Sequence, residues 1–439
     1  MTEVPNSTAT PAAARPDPLE CTVLSDPAAP AAPLLPVQPA ADTLEAVAAR
    51  AAMVARLEES GELGPGPVRE ALLALPREAL IPQAYVRRSA PDETPPHWDL
   101  LDFCRPDDRE ELLERLHSGD SVAIQHGGEP ILGRVPGPRR GGAMTAMSST
   151  MRLTADLLQQ LDLRPGQRVL DVGTGAGVTA AVVCFVCGDA GVVTLDIDPH
   201  VTAAARERLS ALGYRPTRVT GDGTTGWATT EPYDRIFVSF AVRHVPQALV
   251  EQLALGGHAL MTLGTSSPSW PSLAMIERRQ DGSLEAQLRA VEFGHRAGAG
   301  FDRLFLSAAF REEITTADGW TQRSMLAPPP DTARGMWLAL DHLHPGLVRN
   351  FGADDLTIGA PECRSWMRVQ AVSDRRWEVT TSGPRDIWAE IQDVAGRWRA
   401  AGTPDVYRIH FDADGGQRAT SPNGALTWQI SPGKTGDAR

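Results

Sequence analysis

A glycine-rich turn between an apolar strand and an apolar helix constrains the fold of this chain more than any other feature. Residues 168–172 (RVLDV) have the pattern of a buried strand, and the turn places glycines at Gly173, Gly175 and Gly177. Strand, glycine turn and helix begin a nucleotide-binding βαβ unit, because backbone without a Cβ can approach a ligand closely. A dinucleotide-binding turn would read GxGxxG, and Val178 occupies the place of the third glycine. The turn therefore disfavours NAD as the ligand.

The segments after this turn alternate between strands and helices, which is typical of an α/β sheet. The further predicted strands are GVVTLDID, TRVTGD, RIFVSFA and HALMTLG. The predicted helices between the strands are AGVTAAVVCFVCG, HVTAAARERLSALG and VPQALVEQLALGG. Right-handed crossovers between such strands produce an open parallel sheet.

Acidic residues stand at the ends of three successive strands, where open α/β sheets bind their ligands. Asp171 precedes the glycine turn, Asp196 ends the second strand and Asp222 follows the third. One such acid alone is about as often a turn or helix cap, which is how we interpret Asp198 before Pro199. Three together suit a ligand with cationic groups and a vicinal diol and would repel a pyrophosphate. They predict a site for S-adenosylmethionine, with Asp196 at the ribose and Asp222 beside the adenine.

Charge and composition exclude several classes of function. The formal net charge is -13, so nucleic acid is disfavoured as a partner. We expect no membrane span, because no apolar run approaches the roughly 20 residues required, and no signal peptide is recognisable. Five cysteines without disulfide spacing fit the reducing cytoplasm, where we expect this protein. Cys184 and Cys187 lie in an apolar helical stretch, so we interpret both as core residues and expect no metal site.

Composition divides the chain into four predicted regions. Residues 1–40 are rich in Ala and Pro and are predicted to be a disordered leader. Residues 41–150 are predicted to be mainly helical, with short strands at SVAIQHGG and PILGRV, and to end in a loop, GPRRGGAMTAMSST. Residues 151–300 contain the strand–helix alternation. A three-proline segment then introduces helices and strands that we predict to form a separate α+β module over residues 301–439.

Several motifs between residues 75 and 264 occur together in one family of methyltransferases. They are LPREALIPQAY, LRPGQRVLDVGTGAG, ARERLSALGY, GDGTTGW, RIFVSFA followed by VPQALVEQL, and ALGGHALMTLG. With these motifs the chain resembles the protein-L-isoaspartate O-methyltransferase family. The GDGxxGW segment and the PREAxIP lead-in separate this family from other methyltransferases.

This resemblance implies a Rossmann-like class I methyltransferase fold with a mainly parallel, seven-stranded sheet, here with an N-terminal helical extension and the C-terminal module. It also implies S-adenosylmethionine as the methyl donor, S-adenosylhomocysteine as the product, and a side-chain carboxylate of a peptide as the acceptor. Carried over by position, the expected donor-binding residues are Asp171, Gly173, Thr174, Gly175, Gly177, Asp196, Ile197, Asp222 and Gly223.

The segment that corresponds to the family's substrate loop departs from the family pattern. The family loop reads close to QTISQP, whereas residues 143–151 read AMTAMSSTM. Counting back from Asp171 without gaps aligns Ser149 with the family serine, between Ser148 and Thr150. Hydroxyl groups suffice for this chemistry, because a carboxylate is already ionised at neutral pH and needs no general base. We predict that these three residues orient the acceptor; the alternative is that they only cap the following helix.

The altered loop and the added C-terminal module resemble methyltransferases that occur with lanthipeptide and other ribosomal-peptide modification enzymes. That resemblance implies methylation of an ordinary aspartate in a modified precursor peptide, with the ester closing to a succinimide that opens to aspartate or isoaspartate. Our leading interpretation is a carboxyl O-methyltransferase for an Asp or isoAsp residue of such a dedicated peptide, which the C-terminal module binds. The first alternative is a general isoaspartyl repair enzyme. A small-molecule methyltransferase is the second alternative, against which the GDGxxGW segment argues. A binding protein with a relict fold is disfavoured by the intact glycine turn.

Overall fold

The computed structural model describes residues 22–23, 43–90, 93–265, 272–291, 308–351, 355–373, 376–412 and 414–430. Within these residues the strands form three sheets. Most of the predicted leader, residues 1–40, lies outside the described residues, which include only strand β1 (Thr22–Val23) from it. No helix in the described part of the chain is long and apolar enough to span a bilayer.

The first folded region contains a five-stranded antiparallel sheet, which we call the N-terminal sheet. Its strands are β2 (Gln83–Arg87), β3 (His97–Asp102), β4 (Val122–His126), β5 (Gly137–Arg140) and β6 (Met144–Ser148), in the order β5-β3-β2-β4-β6. The helices around it are α1 (Leu44–Glu59), α2 (Pro67–Ala74), α3 (Arg77–Leu80), α4 (Pro106–His117) and α5 (Met151–Gln160).

Two local predictions in this region were wrong. Residues 130–135 (PILGRV) are turn and irregular backbone rather than a strand, whereas the predicted loop contains β5 and β6. Glycines at Gly141 and Gly142, with φ of +68° and +69°, made the segment resemble a loop. Its strands form because β5 pairs with β3 and β6 pairs with β4, and such pairing overrides a weak local strand propensity.

The main sheet contains the predicted strand–helix alternation. Its first strands are β7 (Val169–Val172), β8 (Val192–Asp196), β9 (Thr217–Thr220), β10 (Tyr233–Val242), β11 (Leu253–Leu263), β12 (Ser272–Arg278) and β13 (Leu284–Ala290). The connecting helices are α6 (Val178–Cys187), α7 (Pro199–Ala211) and α8 (Gln247–Glu251), with 3₁₀ turns at Gly223–Thr225 and Ala228–Thr230. The strands β9-β8-β7-β10-β11 run parallel, so the order reverses between β7 and β10.

The expectation of a mainly parallel, seven-stranded sheet needs correction. The main sheet has eleven strands in the described residues, in the order β1-β9-β8-β7-β10-β11-β12-β13 followed by three C-terminal strands, and only the five from β9 to β11 in this order are parallel. β12 and β13 are antiparallel because residues 279–283 join them, and a connection of this length cannot form the crossover that parallel strands require.

The C-terminal region contributes to two sheets. Helices α9 (Ala308–Thr316), α10 (Arg334–Leu343) and α11 (Ile387–Ala400) accompany a five-stranded antiparallel sheet of β14 (Trp320–Ser324), β15 (Val348–Phe351), β16 (Asp355–Ala360), β17 (Ser365–Ser373) and β18 (Arg376–Ser382). The last strands, β19 (Val406–Phe411), β20 (Gln417–Thr420) and β21 (Thr427–Gln429), join the main sheet through pairing of β19 with β13. The boundary expected at residue 300 is therefore not a boundary of the main sheet.

The main sheet separates two large hydrophobic clusters. Ile236 and Val238 of β10 lie in one cluster, while Phe237 between them lies in the other, as the alternation of side chains along a strand requires. The first cluster includes the buried residues of α10 and α11, and the second includes those of α1, α2, α5, α6 and α7. Cys184 and Cys187 are buried in the second cluster, which confirms their interpretation as core residues.

Candidate functional site

The candidate site lies at the carboxyl ends of β7 and β10, where the strand order reverses. In open α/β sheets this crevice is the usual place for a ligand. The Ser239 hydroxyl of β10 donates hydrogen bonds to the carbonyls of Val172 (3.1 Å) and Gly173 (2.9 Å). These bonds hold the start of the glycine turn against β10, so the turn stands at the reversal point itself.

The glycine turn needs its glycines for conformational reasons. Gly173, Gly175 and Gly177 have φ of +96°, +51° and +84°, a region that residues with a Cβ rarely adopt. A Cβ on Gly173 would also collide with Ser239 Oγ, whereas a Cβ on Gly175 would lie 3.4 Å from the carbonyl oxygen of Met147. The turn is thus bare backbone that lies against β10 on one side and against the end of β6 on the other.

Asp196, at the end of β8, is bound to the glycine turn. Its carboxylate accepts hydrogen bonds from the backbone N–H of Gly175 (3.0 Å) and of Asp198 (3.1 Å). Burial raises the pKa of Asp196, and the N–H of Gly175 opposes this shift. Ile197 follows with 62% of its surface exposed, so it offers apolar contact area beside the carboxylate. Asp198 caps α7 by accepting from the N–H of residue 200 at 2.7 Å, which confirms the predicted cap.

Asp171 lies deeper than the sequence suggested. Its side chain has no exposed surface; one carboxylate oxygen accepts a hydrogen bond from the Thr194 hydroxyl at 2.8 Å, and Thr194 in turn lies 2.6 Å from the Thr174 hydroxyl. The other oxygen has no hydrogen-bond partner among the described residues. Burial, assisted by the negative charge of Asp196, raises the pKa of Asp171 to about 7. Sequence analysis missed Thr194, whose signal was a polar residue inside the apolar strand GVVTLDID.

Asp222 and Gly223 follow β9 and fold over the end of β7. The exposed Asp222 carboxylate accepts from the N–H (2.9 Å) and hydroxyl (2.8 Å) of Thr224 through one oxygen, which caps the short 3₁₀ turn. Its other oxygen makes no hydrogen bond to a described residue and remains available to a ligand. A Cβ on Gly223 would collide with the Val172 side chain, so this glycine lets the turn pack directly on β7.

The three predicted loop hydroxyls have different surroundings. Ser148 is buried and accepts a hydrogen bond from the Arg77 guanidinium at 3.3 Å. Thr150 is the N-cap of α5 and accepts from the N–H of Leu153 at 3.4 Å, as the cap interpretation predicted. Ser149 is half-buried, and its hydroxyl has no hydrogen-bond partner in the described part of the chain. Of the three, Ser149 is therefore the hydroxyl that is free to meet a ligand.

Two further residues hold this loop and its sheet in place, and sequence analysis assigned a role to neither. Arg77, within the motif LPREAL, is buried and donates to the Leu116 carbonyl as well as to Ser148, and burial lowers its pKa to about 10. Gln125 of β4 is buried and donates to the Asp198 carboxylate at 2.9 Å. The N-terminal sheet is thus attached to the main sheet beside Asp196. No signal in the sequence pairs residues so far apart.

This combination of features defines the class of protein. A glycine turn without a third glycine, at the reversal point of a parallel sheet and beside acidic residues after successive strands, is typical of methyltransferases that use S-adenosylmethionine. Within the described residues, no group of three or more His, Cys, Asp or Glu side chains could hold a metal ion.

Sequence comparison identifies the family. Residues 141–312 match the family model described as protein-L-isoaspartate(D-aspartate) O-methyltransferase. A protein-L-isoaspartate O-methyltransferase of Ignicoccus hospitalis is 37% identical over 147 residues, which are 33% of this chain and 69% of that protein. One from Methanothermobacter thermautotrophicus is 30% identical over 227 residues, which are 51% of this chain and 83% of that protein. This chain belongs to the protein-L-isoaspartate O-methyltransferase family, and it is a methyltransferase that uses S-adenosylmethionine.

Solved structures give weaker matches. A protein-L-isoaspartate O-methyltransferase aligns over 87% of this chain and 98% of its own length, with 19% identity and a TM-score of 0.42. A Plasmodium falciparum member of the family, in complex with S-adenosyl-L-homocysteine, aligns over 56% of this chain and 94% of its own length, with 15% identity and a TM-score of 0.38.

Proposed function

We propose that this enzyme methylates the carboxylate of isoaspartyl residues in peptides and proteins. One observation carries the proposal: the carbonyl of Met147 lies 3.4 Å from the position of a Cβ on Gly175. The loop that corresponds to the family's substrate loop therefore borders the turn that we assign to the methyl donor. Ser149 follows two residues after this contact with an unengaged hydroxyl, so an acceptor bound there is held next to the donor site.

The donor site is assigned to the residues around the glycine turn. Gly175 leaves backbone without a side chain at the crevice, and Asp196 and the unengaged oxygen of Asp222 supply negative charge for the ribose hydroxyls and the adenine amino group. When bound, S-adenosylmethionine supplies a methyl carbon on a positive sulfur; the new C–O bond forms as the C–S bond breaks, with its electron pair left on sulfur. Asp171 is fully buried, so we assign it to positioning the turn rather than to donor contact.

The acceptor side needs orientation rather than proton transfer. An isoaspartyl carboxylate is ionised at neutral pH, so no residue has to remove a proton from it. The Ser149 hydroxyl can donate one hydrogen bond to a carboxylate oxygen and leave the other oxygen free to react. Arg77 fixes the preceding Ser148, and Thr150 caps α5, so both neighbours of Ser149 are anchored. Rate enhancement then comes mainly from positioning and from exclusion of water.

The comparisons favour general isoaspartyl repair over the lanthipeptide role that the sequence suggested. The relatives from Ignicoccus hospitalis and Methanothermobacter thermautotrophicus both carry the name protein-L-isoaspartate O-methyltransferase. One observation still favours a dedicated peptide: residues 313–439 lie beyond the matched segment. We propose that this region contributes to recognition of the peptide substrate.

The decisive experiment compares three acceptors with a labelled methyl donor. They are a short peptide with one isoaspartyl residue, the same peptide with aspartate, and a cyclised peptide with aspartate. We expect base-labile label, recovered as methanol, on the isoaspartyl peptide. Label on the cyclised aspartyl peptide alone would contradict isoaspartyl repair and support modification of a dedicated peptide. Label on none of the three peptides would contradict both functions.

A further inference from the structure

A cleft on the N-terminal sheet lies outside the donor site and shares Ala143, Met144 and Met147 with the acceptor loop. It has a volume of about 270 Å³ and lies on the face of the sheet that carries Tyr85 and Ala123. The lining combines apolar and aromatic side chains with two cations: Tyr85, Trp98, Met144, Met147, Arg87 and Arg115.

The charge of this cleft is opposite to that of the protein. Two arginines and no acidic residue line it, in a chain whose formal net charge is -13. Arg87 is held in place, because its guanidinium lies 5.6 Å from the Trp98 ring centroid and donates to the Ala90 carbonyl at 2.8 Å. The side chains that line the cleft therefore carry net positive charge, which favours an anionic occupant.

Arg115 is the more available of the two cations. It is half-buried in the last turn of α4 and forms no ion pair with any described residue. The acidic neighbour Glu111 does not neutralise it fully, because Glu111 forms an ion pair with Arg88 at 2.6 Å.

The cleft is connected to the catalytic site through the edge strand β6. Met147 is one of the residues that line the cleft, and its carbonyl oxygen lies 3.4 Å from the position that a Cβ on Gly175 would occupy. β6 is at one edge of the N-terminal sheet, and the sheet is fixed to the donor side by the hydrogen bond between Gln125 and Asp198. Ser149 directly follows β6, so a peptide bound across this face would lie beside the strand that leads to Ser149.

We propose that this cleft binds the residues that flank the methylated residue and selects peptides with acidic flanks. The inference rests on the proposed function and adds a substrate class to it. Aspartate or glutamate side chains would pair with Arg115 and Arg87, and the apolar part of the flanking residues would pack on Trp98 and Met144. Electrostatic complementarity of this kind contributes mainly to specificity and to the rate of association.

The experiment uses two isoaspartyl peptides that differ only at the flanking residues, Glu in one and Gln in the other. The readout is the ratio of kcat/KM for the two peptides, which cancels any general loss of activity. We expect a wild-type ratio of about tenfold in favour of the Glu peptide, and a ratio near one for Arg115→Glu. Arg399→Glu is the matched control, because Arg399 is an exposed arginine in the last turn of α11 and its substitution makes the same change in charge. It should keep the wild-type ratio.

A second measurement makes the test independent of whether Arg115→Glu folds. Raising the salt concentration from about 0.05 to about 0.5 M should raise KM of the wild-type enzyme for the Glu peptide and leave KM for the Gln peptide unchanged, because salt screens exposed charges. Equal kcat/KM for both peptides in the wild type, or no effect of salt, would overturn the inference while leaving the proposed function intact. Failure to methylate either peptide would instead contradict the proposed function.

Discussion

Replacing the buried acid Asp171 with asparagine should stabilise the protein at alkaline pH and have little effect at acidic pH. The carboxylate is fully buried on a central strand and receives a single hydrogen bond, from Thr194, among the described residues. Asparagine has nearly the same shape, and its carbonyl oxygen can accept the same bond. The substitution therefore removes a titratable group with little change in packing.

The magnitude follows from the raised pKa of Asp171, about 7 against an ordinary value of 3.8. Between these two pH values the folded protein holds the proton that the unfolded chain has released, so wild-type stability falls as pH rises and levels off above about pH 7. At 1.36 kcal/mol per pKa unit, the wild-type free energy of unfolding should fall by about 2 to 3 kcal/mol between about pH 5 and about pH 8. The Asp171→Asn variant lacks this loss.

Urea unfolding, followed by circular dichroism at several pH values, provides the assay. The difference between Asp171→Asn and wild type should grow with pH, and all other titrating groups cancel because both proteins contain them. Asp222→Asn is the matched control, since it removes the same charge from an exposed carboxylate; its difference from wild type should stay within about 0.5 kcal/mol. A difference for Asp171→Asn that is the same at both ends of the pH range would refute the reasoning.

Three further substitutions test the assigned roles. Gly175→Ala forces alanine into a left-handed conformation, at a cost of about 1 to 2 kcal/mol, and puts a methyl group in the crevice. Donor affinity measured by calorimetry should therefore fall at least roughly tenfold. Unchanged affinity would show that the turn is not part of the donor site. Asp222→Ala should weaken donor binding about tenfold. Asp222→Asn can still cap the turn, so equally weak donor binding in this variant would attribute the loss to the missing charge rather than to the cap. Ser149→Ala should slow methyl transfer about tenfold or more with donor affinity unchanged; full activity would shift the role to Ser148 or Thr150.

The sequence was informative wherever a local pattern determines the structure. The glycine turn is an example, because three closely spaced glycines between an apolar strand and an apolar helix predict a turn of bare backbone. The cap formed by Asp198 and the burial of Cys184 follow from equally short patterns, a helix start after Asp-Pro and an apolar helix. The strands and helices from β7 to β11 were predictable for the same reason, except that residues 253–257, predicted as the end of a helix, form the start of β11.

The features that were missed depend on contacts between distant parts of the chain. The pairing of β13 with β19 joins Leu288 to Tyr407, and no pattern in either strand identifies its partner. The burial of Asp171 was missed for a related reason. An acid before a glycine turn resembles a ligand contact, but β7 lies in the middle of a sheet covered on both faces, so every side chain from Val169 to Val172 is buried.

The shared main sheet also limits how the C-terminal region can contribute to substrate recognition. Trp337 and Trp428 of that region lie in the same hydrophobic cluster as Leu170 and Ile236 of the strands beside the donor site. A region that shares this core does not move as an independent domain, because its separation would expose those aromatic side chains to water at a cost of about 1.5 to 3 kcal/mol each. Any contact of the C-terminal region with the peptide is therefore made by a surface that is fixed relative to the main sheet. Selection among peptides then depends on which ones fit a surface that does not rearrange.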